Sequence, residues 1–243
     1  MSGSTYGLIG KKLGHSFSQA YFTKKFSELE LHASYLNFEL NSIEDFKETI
    51  KNNDLKGVNV TIPYKEEIIP FLDEIDPTAK EIGAVNTVTF KDGVLKGYNT
   101  DAFGFRQSIK PFFKGNHERA LILGTGGASK AVIFVLKELG VDCLSASRNP
   151  QPGQISYPEL NNYIIRSHQL IVNTTPLGMF PSIDTFPELP YEFITNQHLL
   201  VDLVYNPKET VFMKKGKTEG ANTINGLTML QQQAEKAWEI WNA

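Results

Sequence analysis

The chain has 243 residues, 41% of them apolar and 21% charged, which is an ordinary globular composition and excludes collagen-like, low-complexity and disordered classes. Its 24 basic and 27 acidic residues give a net charge of −3, so there is neither a basic footprint for nucleic acid nor a polybasic patch for a membrane surface. The single cysteine, Cys143, excludes an internal disulfide and a thiolate metal cluster, and fits a reducing, cytoplasmic setting. The opening Met-Ser-Gly-Ser-Thr has no basic or apolar leader character, and no run nears the ~18 apolar residues of a membrane span.

The first hundred residues alternate strand and helix patterns. "TYGLIG" reads as a strand, and residues 16–31 as a helix carrying Phe17, Tyr21, Phe22, Phe26 and Leu29 at helical spacing. "SYLNFEL" is a strand, "SIEDFKETIK" a helix capped by Ser42, and "KGVNVTIP" a strand stopped at Pro63. "YKEEIIPFLDEI" predicts a helix broken at Pro70, and "AVNTVTF", "KDG" and "VLKGYNT" predict a hairpin. This β-α-β-α-β order predicts an α/β layer on a partly parallel sheet.

The pattern then restarts. Asp101 caps a predicted helix "AFGFRQSIKPFF", "ERALILG" is a short strand, and "TGGASKAVIFVLKELG" is a helix closed by glycine. "DCLSAS", "QLIVNTT" and "LLVDLVY" are nearly continuous apolar strands, as a parallel sheet buried on both faces requires. "SRNPQPGQ" reads as a loop and residues 227–241 as a final helix, with Trp238 and Trp241 as core anchors.

Gly124-Thr125-Gly126-Gly127-Ala128-Ser129 lies between a predicted strand and a predicted helix. There the glycines let backbone approach a dinucleotide pyrophosphate, and the helix N-terminus presents unpaired N–H groups to the anion. The third position of the usual pattern holds Ser129 instead of Gly or Ala. An NAD site wants a carboxylate about 20 residues on, to hold the ribose diol. That region reads Ser147-Arg148-Asn149. The planar guanidinium of Arg148 suits a 2′-phosphate, so the pattern favours NADP.

Polar residues also stand at strand ends of the first half: Ser16, Ser18, Thr61, Lys65, Asn86 and Asp101. Alone, each reads as a helix cap, a turn residue or a solvated charge. Together, "GHSFSQAYF", "NVTIPYKE", "GAVNTV", "YNTDAFGF", "GTGGASKA", "VNTTPLGM", "DLVYNP" and "NGLTMLQQQA" occur in an order and spacing that resemble the shikimate dehydrogenase family. "VTIPYK" with "GAVNT" and "YNTD" carries that resemblance; the glycine-rich turn does not.

The resemblance implies an N-terminal α/β substrate domain (1–101), a Rossmann-type NADP-binding domain (102–225) and a C-terminal helix (226–243) returning to the first domain. It implies that Ser16 and Ser18 hold the substrate carboxylate, that Thr61, Asn86 and Asp101 hold ring hydroxyls, and that Tyr205 and Gln233 reach the same substrate. Lys65 and Asp101 match the catalytic pair, which exchanges a proton with the oxygen while the nicotinamide handles the hydride. On the cofactor side it implies Gly124, Thr125, Gly126, Gly127, Ala128, Ser147, Arg148, Asn149, Thr174, Leu203 and Gly226, and no metal. Ser147 stands where the family has asparagine, and residues 150–153 lack a second basic group, which implies a weaker preference for NADP. The expected reaction is the reversible reduction of 3-dehydroshikimate to shikimate, by a cytoplasmic monomer or homodimer without nucleic-acid or membrane partners. An NAD-dependent quinate/shikimate dehydrogenase is the alternative enzyme. A ligand-sensing relative without catalysis is the other alternative, although such a sensor is expected to lose Lys65 or Asp101, and both are present.

Overall fold

The computed structural model describes residues 3–14 and 16–243. His15, next to the two candidate serines, lies outside them. The chain divides into two compact units, Met1–Thr100 with Ala234–Ala243, and Asp101–Gln233. The division therefore falls one residue before the expected boundary, and the second break lies inside the last helix instead of ahead of it.

The first unit contains β1 (Ser4–Gly10), α1 (Phe17–Glu28), β2 (Ala33–Glu39), α2 (Phe46–Asn52), β3 (Leu55–Val60), β4 (Glu74–Ile75), α3 (Pro77–Ile82), β5 (Thr87–Lys91) and β6 (Val94–Tyr98). The strands form one sheet in the order β2-β1-β3-β5-β6-β4. β1 runs parallel to β2 and β3, whereas β5 is antiparallel to both β3 and β6. The β5–β6 connection needs two successive left-handed residues, and Asp92 and Gly93 supply them at φ 53° and 79°. This mixture of directions brings the ends of β1, β3 and β6 and the start of β5 to one edge of the sheet.

Residues 64–75 do not form the expected helix. They make turns, a short 3₁₀ segment (Ile69–Phe71) and the two-residue edge strand β4. Pro70 has no N–H to continue an α-helical ladder; before it one bond of α-helical span, Ile68 N–H to the Tyr64 carbonyl at 3.0 Å, is followed by the tighter Ile69 N–H to the Glu66 carbonyl at 3.2 Å. The Ser42 helix begins as a 3₁₀ turn (Ile43–Asp45) that runs into α2.

Both faces of the sheet are covered. Ile9, Phe46, Val58, Ile68, Val85 and Val88 pack on one side. On the other, Tyr6, Phe22, Phe26 and Tyr35 meet the end of the last helix. Side-chain alternation along β1 sends Tyr6 and Leu8 to one cluster and Ile9 to the other. Trp241 closes the aromatic side, its indole Nε1 donating to the Val88 carbonyl at 3.1 Å. Gly57 is required beneath it, because a Cβ there would stand 2.2 Å from that nitrogen. Glu235 fastens the same segment to α1, accepting from Tyr21 Oη and pairing with Lys25 Nζ at 2.6 Å.

The second unit contains α4 (Asp101–Ile109), β7 (Arg119–Leu123), α5 (Gly127–Glu138), β8 (Asp142–Ser147), β9 (Gln154–Ser156), α6 (Asn162–Ser167), β10 (Leu170–Asn173), β11 (Leu199–Asp202), α7 (Val211–Thr218), β12 (Asn222–Ile224) and the start of α8 (Leu227–Trp241). Its sheet order, β12-β11-β10-β7-β8-β9, is wholly parallel. Read from β9, this is the doubly wound order 3-2-1-4-5-6, with its reversal between β7 and β10. Leu121, Leu123, Ile171, Leu200 and Phe212 are among the residues that fill the core. α4 stops at Ile109, short of the expected Phe113, since Pro111 disfavours helical backbone just before it.

Trp241→Ala should destabilise the protein by about 2–4 kcal/mol, the range for removing a large, mostly buried aromatic together with its hydrogen bond. Urea unfolding that leaves the midpoint unmoved would show that the final turn of α8 does not hold the first unit.

Candidate active site

In the first unit the polar residues lie where the strands run out. Ser16 is the N-cap of α1, its Oγ accepting from Gln19 N–H at 3.3 Å. Ser18 sits in the first turn, close enough to the Tyr35 hydroxyl to pull against the burial that pushes the Tyr35 phenol up. Tyr35 Oη donates to Asn59 Oδ1 at 2.8 Å, and Asn59 Nδ2 reaches the Asn86 carbonyl at 3.3 Å and Thr87 Oγ1 at 3.1 Å. The buried Asn86 then ties β5 to the end of β6: its Oδ1 accepts from Thr100 N–H at 2.7 Å, and its Nδ2 donates to Thr100 Oγ1 at 3.0 Å. Tyr35, Asn59, Asn86, Thr87 and Thr100 thus form one network, with Ser18 beside its Tyr35 end.

Thr61 follows β3, its N–H bound to the Ile9 carbonyl at 2.8 Å. The backbone of Lys65 is pinned nearby. Tyr64 is sunk in the core with its hydroxyl on the Leu40 carbonyl at 2.7 Å, and the Lys65 carbonyl accepts from Val85 N–H at 2.7 Å. Lys65 itself remains partly exposed. Asp101, one residue beyond Thr100, is 1% exposed and opens α4, where the helix dipole favours a carboxylate.

In the second unit the glycine-rich turn lies at the switch between β7 and β10. Gly124 follows β7 at φ 102°, a left-handed conformation, and a Cβ there would come within 2.8 Å of Thr174 Oγ1. Gly126 is the N-cap of α5, with open space where a Cβ would point. Thr125 is exposed, while Gly127 and Ala128 form the first turn. A glycine-rich turn at a helix N-terminus, with no side chain in the way at Gly126, fits a dinucleotide pyrophosphate. Ser129, the departure from the usual pattern, is buried and returns its hydroxyl to the Gly126 carbonyl at 2.6 Å.

Ser147 ends β8, and its Oγ accepts from Asn149 N–H at 3.2 Å; Arg148 and Asn149 are exposed beyond it. Arg148 is close enough to lower the Tyr157 phenol, which burial pushes up. Thr174 Oγ1 donates to the Leu123 carbonyl at 2.7 Å, joining the ends of β10 and β7. Leu203 and Tyr205 follow β11 and are partly exposed. Gly226 N–H bonds the Val204 carbonyl at 3.1 Å, and a Cβ at Gly226 would fall 2.0 Å from the Leu203 carbonyl oxygen. Gln233 lies on α8, whose backbone at Met229 closes on Gly104 of α4. Among the described residues no group of three His, Cys, Asp or Glu is placed to hold a metal, and no helix is long and apolar enough to cross a membrane.

Sequence reasoning passed over Tyr35, Asn59, Thr87 and Thr100 in the first unit, and Asn173, Asp202 and Thr210 in the second. A trace of the last group was visible, since two otherwise apolar strands, "LIVN" and "LLVD", each end in a buried polar residue. Burial pushes the Asp202 carboxyl up to about 6, although hydrogen bonds from Thr210, Val204 and Asn173 pull it down.

The family model described as "Shikimate dehydrogenase substrate binding domain" matches residues 8–88. A shikimate dehydrogenase (NADP(+)) of Methanosphaera stadtmanae is 38% identical, over 97% of this chain and 90% of its own length. The crystal structure of shikimate dehydrogenase from Aquifex aeolicus superposes with a TM-score of 0.89 at 39% identity, covering 99% of this chain and 92% of that one. The Thermus thermophilus shikimate 5-dehydrogenase, in complex with NADP(H) and shikimate, gives 0.87 at 33% identity, covering 98% and 93%.

The raised Asp202 sets a pH dependence of stability. The folded state holds this proton more tightly than the unfolded chain, whose ordinary value is 3.8. The group's contribution to stability is therefore full below about pH 4 and is lost as pH rises through about 6. The loss amounts to roughly 3 kcal/mol. The unfolding free energy of the wild type minus that of Asp202→Asn should fall over this window; a flat difference between pH 4 and 7 would refute the assignment.

Proposed function

The chain belongs to the shikimate dehydrogenase family, and on that premise we propose how its own residues carry the NADP-dependent interconversion of 3-dehydroshikimate and shikimate. The observation that supports the assignment best is the edge of the first sheet, where Thr61 and Lys65 follow the end of β3, Asn86 precedes the start of β5 and the Thr100–Asp101 step follows the end of β6.

Ser16 and Ser18 offer hydroxyl donors to the substrate carboxylate from the start of α1. Thr61, Asn86 and Asp101 receive the ring hydroxyls, and Gln233 and Tyr205 complete the polar contacts. Asn86 is held rigid by both its amide atoms, so it contributes orientation at little further entropic cost. Lys65 Nζ accepts the proton of the reacting hydroxyl during oxidation and returns it to the oxygen during reduction, with the Asp101 carboxylate stabilising the charged lysine. Bound NADP supplies the hydride acceptor or donor. The chain holds its pyrophosphate at the glycine-rich turn, on the N–H groups that open α5 and not on Gly124, whose N–H is bound to the Ala146 carbonyl at 2.9 Å; it holds the 2′-phosphate on Arg148, with Ser147 and Asn149 shaping that loop. Thr174, Leu203 and Gly226 line the nicotinamide end. Oligomeric state is the remaining choice between monomer and homodimer, which sedimentation decides.

The primary test follows absorbance of the reduced nicotinamide, with shikimate or quinate crossed against NADP or NAD. Turnover with shikimate and NADP is expected; turnover confined to quinate and NAD would overturn the assignment. Lys65→Ala should lower kcat by roughly 10²–10⁴-fold, the range for losing a general acid–base, with a smaller change in the shikimate KM. A folded variant that keeps a third of wild-type turnover would remove Lys65 from the chemistry.

Arg148→Ala removes a charge-assisted contact from the phosphate. The KM for NADP should rise roughly 10- to 100-fold while that for NAD barely moves. Equal losses with both cofactors would mean that Arg148 supports the loop and does not read the phosphate. The residue is exposed, so this discrimination should also weaken with salt.

A further inference from the structure

Asn173 and Asp202 are the last residues of neighbouring parallel strands, and they stand directly opposite one another in the register of β10 and β11. Both are fully buried. Asn173 Nδ2 donates to Asp202 Oδ1 at 3.0 Å. Each then uses an oxygen to hold the backbone two residues further on. Asn173 Oδ1 accepts from Thr175 N–H at 3.1 Å and from Thr175 Oγ1 at 2.6 Å. Asp202 Oδ1 accepts from Val204 N–H at 3.0 Å. The other carboxylate oxygen takes the Thr210 hydroxyl at 2.6 Å, and Thr210 Oγ1 in turn accepts from Met213 N–H at 3.3 Å as the N-cap of α7.

One buried pair therefore sets two turns. The first, residues 174–177, carries Thr174, which abuts Gly124. The second, residues 203–205, carries Leu203 and Tyr205, and its Val204 carbonyl receives Gly226 N–H. A buried ionised carboxylate opposes folding at neutral pH, so its presence is not accounted for by stability. An uncharged isostere would fill the same space more cheaply.

We propose that Asp202 and Asn173 are positioning residues for the nicotinamide end of the dinucleotide, fixing the two turns that carry Thr174, Leu203 and Tyr205 while leaving the adenine end untouched. This rests on the cofactor reading given above. The mechanism is local. An ionised carboxylate makes a stronger, shorter-range hold on the Val204 N–H and the Thr210 hydroxyl than a neutral amide does. Weakening it lets residues 203–205 depart from the geometry that presents Leu203 and Tyr205. The bonds of Asp202 and Thr210 run to Asn173, Val204 and Met213 and to no residue of 147–149, so variants at these two positions leave the segment assigned to the adenine end in place.

The test is calorimetric titration of the full-length protein at pH 8 with two probes, NADP+ and adenosine 2′,5′-bisphosphate. The second carries the adenine and 2′-phosphate but no nicotinamide. Wild-type binding of both establishes the cofactor reading. Asp202→Asn should then raise the Kd for NADP+ about tenfold, as expected for losing the charge from one hydrogen-bonded acceptor. Its Kd for the bisphosphate should stay within about twofold, and its melting temperature at pH 8 should be no lower than that of the wild type. Thr210→Val and Thr210→Ser carry the same test should the first variant fail to fold. The valine variant loses the hydroxyl donor and should weaken NADP+ alone, and the serine variant should restore it. Unchanged NADP+ affinity in the variants, or equal weakening of both probes, would overturn the positioning role while leaving the cofactor reading intact. A wild type that binds neither probe at pH 8 would overturn the cofactor reading and this inference with it.

Discussion

A strand that ends inside a sheet leaves backbone N–H and C=O groups facing a neighbour that has already turned away. Buried without partners, such groups are costly, and this chain satisfies them with side-chain amides and one carboxylate. Asn86 does so for Thr100 in the first unit, Asn173 for Thr175 and Asp202 for Val204 in the second. The same requirement explains why the residues assigned to substrate and cofactor cluster there. Where a strand end must be polar in any case, a second polar group can face outward at little extra penalty.

The two sheets meet this requirement differently because their topologies differ. In the second unit all strands are parallel, so every strand finishes on the same edge and the switch between β7 and β10 opens a single crevice. Gly124 and Thr174 approach across it, close enough that no side chain fits at position 124. The first unit is mixed, and a single hairpin, β5–β6, brings Asn86 and Thr100 to the edge where β1 and β3 end. Asp92 and Gly93 make that hairpin possible through two successive positive φ angles. A turn at the opposite end of the hairpin therefore decides which residues reach the edge to which Lys65 is pinned.

Much of this was legible in the sequence, for identifiable reasons. Strong periodicity or long apolar runs marked α1, β3, α5, β8, β10, β11 and α8, and the resemblance to shikimate dehydrogenases located the family. The weak short elements escaped: β9 and β12 have three residues each at the sheet edges, where half the strand lacks a partner and little apolar surface is buried. The helix expected over residues 64–75 failed because its apolar spacing looked helical while Pro70 withheld the N–H that the ladder needed. The roles of Tyr35, Asn59 and Asp202 were hidden for another reason. Each sits within or at the end of a strand, and its role depends on a partner 24 to 29 residues away, as in Tyr35–Asn59 and Asn173–Asp202. Local pattern carries no information about such pairs. Strand register does, and register becomes known only when the sheet is.

The division of labour inside the second unit follows from how each group is held. The turn proposed to hold the pyrophosphate is backbone at a helix N-terminus, so its geometry is tied to that of α5. Arg148 lies at the opposite extreme, a flexible exposed side chain beyond β8 with nothing in the 150–153 loop to assist it. Leu203 and Tyr205 stand between these limits. They belong to irregular backbone, yet that backbone is bound to buried Asp202 on one side and to Gly226 on the other. Gly226 permits the second contact only because it lacks a Cβ, which would overlap the Leu203 carbonyl. Rigidity in this segment is therefore assembled from a charge that disfavours folding and a glycine that adds no packing. Both choices sacrifice stability at a turn whose shape matters more than its strength.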